Sequence, residues 1–371
     1  MHMLQLTRML SEAAMAKLTY RIRMTVLILF LTAAIIAVIA ALFSAPYLTQ
    51  TPSAPVPSPI PDENRLVICT SHKEEVWWPV IKEFEERTGI YVEVIEGGSN
   101  ELLERLEAGT QEPACDVMFG GGEESLYYYR DLFRPYRPAG SENIDSRYLS
   151  SEDLWTPFSA LPIVLIYNPK LVREGELTSF RDLLDERYKG RIAFADPTVS
   201  ASSFTGLATL ISACGGESEQ DEILKAFALN LDRHLLASSG DVLTQVASGT
   251  CLVGICLEET ALKRIAAGDS LAIVYPEDGT SAVPDGSAVL KNAPHPENAE
   301  RFLDYTVSED VQNLLVTRFF RRSVCKNIPE DSSLPALRDI PMLKYDLTDI
   351  DRRRSGIMTG FAFFFGGEDA Q

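Results

Sequence analysis

From residue 65 onward, short continuous apolar runs alternate with stretches of helical period. Residues 65–70 (RLVICT), 90–95 (IYVEVI), 115–119, 161–167 (LPIVLIY), 191–195, 251–257, 271–275 and 287–290 read as strands. Several are apolar throughout, the pattern of a sheet covered on both faces. Between them, apolar positions recur at three- and four-residue spacing. Trp77, Val80, Ile81 and Phe84 mark one helix, ended by Gly89. Ser71, with Glu74 three residues on, is expected to cap it. Further helices are expected over 100–108, 180–184, 206–212, 221–231, 242–248, 261–267, 299–306, 309–317 and 351–365. No repeat of fixed period interrupts the alternation. The pattern predicts an α/β protein of two lobes, opening with a β-α-β unit and a right-handed crossover.

The densest chemistry sits in residues 189–210, KGRIAFADPTVSASSFTGLATL. A strand ends at Asp196-Pro197, because proline removes a donor and restricts the residue before it. Ser200, Ser202, Ser203 and Thr205 follow, then an apolar helix. A helix start has unpaired N–H groups and partial positive charge, and hydroxyls add donors. Such a strand-to-helix turn suits an anion, whereas an ordinary cap needs one hydroxyl. Ser238-Ser239-Gly240-Asp241 forms a second hydroxyl-rich helix start. Gly120-Gly121-Gly122 closes a strand and allows close backbone approach to a ligand. His72 stands at a strand-to-helix turn and is a candidate ligand contact. Tyr127-Tyr128-Tyr129 cannot converge on one ion, because consecutive helical residues point in different directions. They read as amphipathic aromatics on a helix rim.

Composition narrows the partners. The chain has 371 residues, 46% hydrophobic and 23% charged, with net charge −19. Such acidity disfavours nucleic acid and anionic membrane surfaces. The six cysteines and four histidines show no metal-ligand spacing, and no metal site or cofactor is expected. The thiols read mostly as buried, with disulfides possible outside the cytoplasm. No GxSxG, P-loop or HExxH set is present, which argues against an enzyme.

Residues 24–43 (MTVLILFLTAAIIAVIAALF) carry no charge and are long enough to span a bilayer. Lys17, Arg21 and Arg23 precede them, which places residues 1–23 in the cytoplasm and the body outside. An uncleaved anchor over 24–45 is preferred to a signal segment, since Pro46 disfavours cleavage after the small-residue site. Residues 46–63 are a proline-rich linker. The chain is thus expected on the extracytoplasmic face, tethered to the cytoplasmic membrane.

The ordered pieces also resemble a known family. They run from Ser71-His72-Lys73-Glu74-Glu75 through Asp116-Val117-Met118-Phe119-Gly120-Gly121, Tyr167-Asn168-Pro169, Tyr188-Lys189-Gly190-Arg191 and Asp196-Pro197. They end at Ala293-Pro294-His295-Pro296-Glu297-Asn298 and Arg322-Ser323-Val324. Over residues 64–371 this resembles the periplasmic solute-binding proteins of ABC importers, in the ferric-iron-type branch whose relatives take sugar phosphates or phosphonates. The resemblance implies a type II two-lobed fold with two hinge strands. Residues 64–158 and 286–371 would form lobe 1, and 159–285 lobe 2. It implies a monomer that delivers a small anionic solute to a membrane permease. Ferric-binding members carry adjacent tyrosines after the strand equivalent to 252–257; this chain has Glu258-Glu259 there. The resemblance therefore favours an organic phosphate, sugar phosphate or phosphonate, with ferric iron as the alternative and a membrane-tethered ligand sensor as a third reading. Ser71, Ser200, Ser202, Thr205 and Ser239 would bind the anionic group, with His72, Gly121 and Gly122 nearby. Asp241 and Glu258 would take hydroxyls or an amine, and Arg322 would add charge from lobe 1.

Overall fold

The computed structural model describes residues 24–25, 29, 31–36 and 60–366. The chain divides into two units, residues 1–59 and 60–371. In the first, the described residues are helical, and among the described residues no helix is long and apolar enough to cross a membrane. The remainder of the expected anchor, the stub and the linker up to residue 59 lie outside the described residues.

The second unit opens with β1 (Arg65–Thr70), α1 (Glu74–Thr88), β2 (Tyr91–Glu96), α2 (Ser99–Glu107), β3 (Val117–Gly122) and α3 (Glu123–Tyr128). The long β4 (Thr156–Tyr167) follows, then β5 (Ile192–Ala193), α4 (Ala201–Cys214), α5 (Gln220–Leu231), α6 (Ser239–Ser248), β6 (Val253–Leu257), α7 (Glu258–Ala266) and β7 (Ala272–Val274). The chain closes with β8 (Ala282–Val289), α8 (Pro296–Thr306), α9 (Glu309–Phe319), β9 (Arg322–Ser323) and α10 (Leu347–Gly366). Gly89 ends α1 with a left-handed φ of 70°, as its sequence position predicts. The expected Ser71–Glu74 capping box does not form: Lys73 is the N-cap and makes no side-chain cap bond.

β1 lies between β2 and β3, parallel to both, and β8 and β4 continue that sheet antiparallel. β4 then changes partners. Thr156 to Pro162 pair with β8, whereas Ile163 to Tyr167 pair with β6, with β7 on the other edge. A parallel pair of β5 and β6 completes the second sheet. The return from β7 to β8 runs beside this crossing. The Ile163 amide donates to Ser281 O at 2.9 Å, and the Thr280 hydroxyl donates to Ile163 O at 2.5 Å. Two adjacent strands therefore join the lobes, which is the expected hinge.

Each sheet is covered on both faces. In lobe 1, Val76, Val80, Ile81 and Phe84 of α1 pack with Phe302 and Leu303 of α8 on one face. Leu102 and Leu103 of α2 pack with Leu126 and Trp155 on the other. In lobe 2, Phe204, Leu207 and Ile211 of α4 meet Phe227 and Leu231 of α5, while Val242, Leu243 and Val246 of α6 cover the opposite face. The C-terminal helix departs from the expected partition. Ile350, Ile357 and Phe361 of α10 belong to the lobe 2 core, although the preceding chain comes from lobe 1.

Cys69 and Cys115 are disulfide-bonded, tying the end of β1 to the segment entering β3. Cys214, Cys251, Cys256 and Cys325 are free and buried. His295 is half-buried against the fully buried Asp116, its Nδ1 3.0 Å from Oδ2.

Candidate functional site

A cleft of about 1500 Å³ opens between the two sheets. In an α/β layer, strands deliver their carboxyl ends to one edge, and the helices that follow begin there. Five helices of nine residues or more start at this cleft. Their first residues and the turns that lead into them contribute His72, Lys73 and Glu74 at α1, Gly97, Gly98 and Ser99 at α2, Ser200 and Ala201 at α4, Ser238 and Ser239 at α6, and Leu257 and Glu259 at α7. Each brings unpaired backbone N–H groups and the positive end of its dipole.

Ser71, His72, Gly121, Gly122, Ser200, Ser202, Thr205 and Ser239 line the cleft. The serines near position 200 are arranged differently from expectation. The helix starts at Ala201, so Ser202, Ser203 and Thr205 lie within its first turns. Ser200 is the N-cap and accepts from the Ser203 amide at 3.3 Å and the Ser203 hydroxyl at 3.0 Å. The Thr205 hydroxyl donates to Glu124 Oε1 at 2.7 Å, bridging the lobes, and Tyr345 donates to the same oxygen at 2.7 Å. At the other hydroxyl-rich start, Ser238 rather than Ser239 caps α6.

Asp241, Glu258 and Arg322 are corrected by the structure: none of them lines the cleft. Asp241 accepts from the Ser238 hydroxyl at 2.8 Å, within the α6 cap. Glu258 is fully buried and takes both arms of Arg322, at 2.8 and 2.7 Å, together with the Tyr275 hydroxyl at 2.5 Å. Arg322 also reaches Glu330 at 3.0 Å and Pro335 O at 2.9 Å. This buried pair sits behind the hinge and is committed to structure.

The neighbours of these residues occupy the cleft instead. Successive strand residues face opposite sides, and successive helix residues stand about 100° apart, so one step along the chain changes the destination. Arg321 and Glu259 line the cleft. Arg321 Nη1 donates to Asp285 Oδ2 at 2.6 Å and to Ser159 Oγ at 3.0 Å, and its Nη2 lies 3.6 Å from Glu259 Oε1. Asp285 is fixed in turn by the Ser159 amide at 2.8 Å and hydroxyl at 2.7 Å. Glu259 also meets Lys263 at 3.0 Å, and Lys263 crosses to Glu75 of α1 at 2.8 Å. The Nε of Arg321 is buried and has no hydrogen-bond partner, nor has Nε2 of His72. Burial, reinforced by Arg321, holds the His72 ring pKa well below its ordinary value, so the imidazole is neutral.

Gly120 shows why glycine is needed beside this site. Its φ is 99°, and a Cβ there would stand 2.8 Å from Ser71 Oγ and 3.0 Å from His72 Nε2. The three adjacent tyrosines stay outside the cleft lining; Tyr128 is exposed and Arg130 stacks over Tyr127 at 4.6 Å. Sequence reasoning missed Asp285, Ser238, Lys263 and Trp78. Ser238 was visible as the first hydroxyl before a helix; Asp285 lies in a strand whose hinge role is set by pairing alone.

A two-lobed α/β body with a polar interlobe cleft of this kind defines a binding protein rather than a channel or scaffold. The chain belongs to the family of bacterial extracellular solute-binding proteins, whose pattern matches residues 125–347. It is 27% identical to iron uptake protein A1 of Synechocystis over 317 residues, 82% of this chain and 87% of the relative. Two solved structures share the fold. One is the periplasmic binding protein AfuA of Actinobacillus pleuropneumoniae with fructose 6-phosphate bound, with a TM-score of 0.72 at 22% identity, covering 80% of this chain and 97% of that one. The other is the ferric binding protein of Campylobacter jejuni, with a TM-score of 0.70 at 20% identity, covering 80% and 98%.

Proposed function

We propose that this chain is the solute-receiving component of an ABC importer and that its solute is a small organic phosphate, sugar phosphate or phosphonate. The observation that carries the reading is the convergence of five helix N-termini on one cleft beside a buried arginine whose Nε has no partner. N-terminal amides and a guanidinium donor aimed at one space favour an anion with several acceptor oxygens. Net charge of −19 does not oppose this, because contact donors act at hydrogen-bond distance while surface charges are screened within about 8–10 Å.

Ferric iron is the second reading, supported by the names of relatives such as iron uptake protein A1. Against it, among the described residues no tyrosine lines the cleft. Three of the cleft carboxylates are already engaged: Glu124 by Thr205 and Tyr345, Asp285 by Arg321 and Ser159, Glu259 by Lys263. Residues 24–43 would hold the protein at the outer face of the membrane, beside the permease that it serves.

Calorimetry of the purified full chain decides between these. We expect micromolar or tighter binding of at least one member of a sugar-phosphate and phosphonate panel. Tight binding of ferric citrate with a visible absorption band, and no heat from the panel, would replace this reading by iron capture.

A further inference from the structure

The cleft has a lip as well as a floor. Trp78 lines it from α1 and is 49% exposed; Val199 lines it from the opposite lobe and is 66% exposed. Both are large apolar side chains left open to solvent at a ligand site, where apolar surface gains most from being covered. Trp78 stands four residues beyond the start of α1, so a rise of 1.5 Å per residue puts it about 6 Å along the helix from the amides at its start. Val199 directly precedes Ser200, the N-cap of α4. Each lobe thus presents an anion-binding helix start and, one step outward, an apolar contact. The cavity of about 1500 Å³ is far larger than a phosphate ion needs.

We propose that Trp78 and Val199 determine specificity by gripping the organic part of the bound anion, so that the solute carries a ring or hydrocarbon face next to its phosphate. This rests on the anion reading given above. Trp78 offers a flat aromatic surface, and Val199 closes on the other side of the ligand when the lobes approach. Ligand pockets commonly combine such apolar walls with a few oriented polar groups. An inorganic anion would use the floor alone.

The test uses the full chain with two probes, fructose 6-phosphate and inorganic phosphate. Trp78→Ala is expected to weaken fructose 6-phosphate binding by tenfold or more and to leave inorganic phosphate within twofold. Trp78→Phe should restore most of the affinity, and Val199→Ser should weaken the sugar phosphate selectively and by less. Tryptophan emission gives an independent readout: Trp155 is buried and Trp77 packs against the lobe 1 core outside the cleft lining, so the sugar phosphate should shift the emission of the wild type and not that of Trp78→Ala. If Trp78→Ala binds the sugar phosphate like the wild type, or loses both probes equally, the proposal is overturned while the anion reading stands. If the wild type binds neither probe nor any other organic phosphate, both fall together.

Discussion

At the scale of single residues, adjacent pairs with opposite fates are the main feature of this protein. Glu258 is fully buried against Arg322, while Glu259 faces the cleft. A buried charge pair contributes little net stability, but removing one partner leaves the other charge buried and unpaired, at about 3–5 kcal/mol. Glu258→Gln is therefore expected to lower unfolding free energy by about 3 kcal/mol or more in urea titrations. Glu259→Gln should change stability by less than about 1 kcal/mol, since Lys263 keeps Glu75 as a partner and Arg321 keeps Asp285. It should also tighten binding of inorganic phosphate, because one negative charge near Arg321 is lost. Equal destabilisation by the two substitutions would remove the distinction.

At the scale of elements, the strand–helix alternation was legible because both periods are written in the side chains. The α1 core positions Val80, Ile81 and Phe84 are buried as their spacing predicts. Two things were not legible. Strand β4 is one apolar run, and nothing in it marks the step at Pro162–Ile163 where it leaves one sheet for the other. That step is fixed by its partners, which are more than eighty residues away. The destination of α10 was equally hidden, because an amphipathic helix specifies that it packs and not on what. The candidate site was legible to the level of loops: the turns at 71–72, 121–122 and 200–205 line the cleft, whereas the choice within Glu258-Glu259 and Arg321-Arg322 depends on helix phase and strand register. The placement of α10 has a consequence. Phe361 is buried in the lobe 2 core and stacks on Phe365 at 5.7 Å. Phe361→Ala should cost about 3–5 kcal/mol, the usual range for a large buried aromatic. If that loss is under about 1 kcal/mol by urea denaturation, α10 is an appendage and not part of the lobe 2 core.

At the scale of the whole molecule, two histidines, one buried and one half-buried, couple stability to pH in opposite senses. His72 is neutral in the folded protein because burial and Arg321 depress its pKa. The unfolded chain takes up its proton near pH 6.5, so stability from this residue is present above that value and lost as pH falls below it. For His295, burial opposes the charge, but the hydrogen bonds and charges of Asp116 and Asp62 together outweigh it and the pKa is raised. The folded state then holds the proton more tightly than the unfolded state. That stability is fully present below about pH 6.5 and is lost as pH rises through the folded value. The two slopes partly cancel in the wild type, and removing one exposes the other. In urea denaturation, His295→Ala should therefore destabilise the protein more at pH 5.5 than at pH 8.5, and its own stability should fall more steeply than the wild type on acidification, because His72 then acts unopposed. The residual loss at pH 8.5 measures packing and the neutral hydrogen bond to Asp116. A loss that is the same at both pH values would mean that Asp116 does not hold a proton on His295, and the opposing slopes would have to come from other groups.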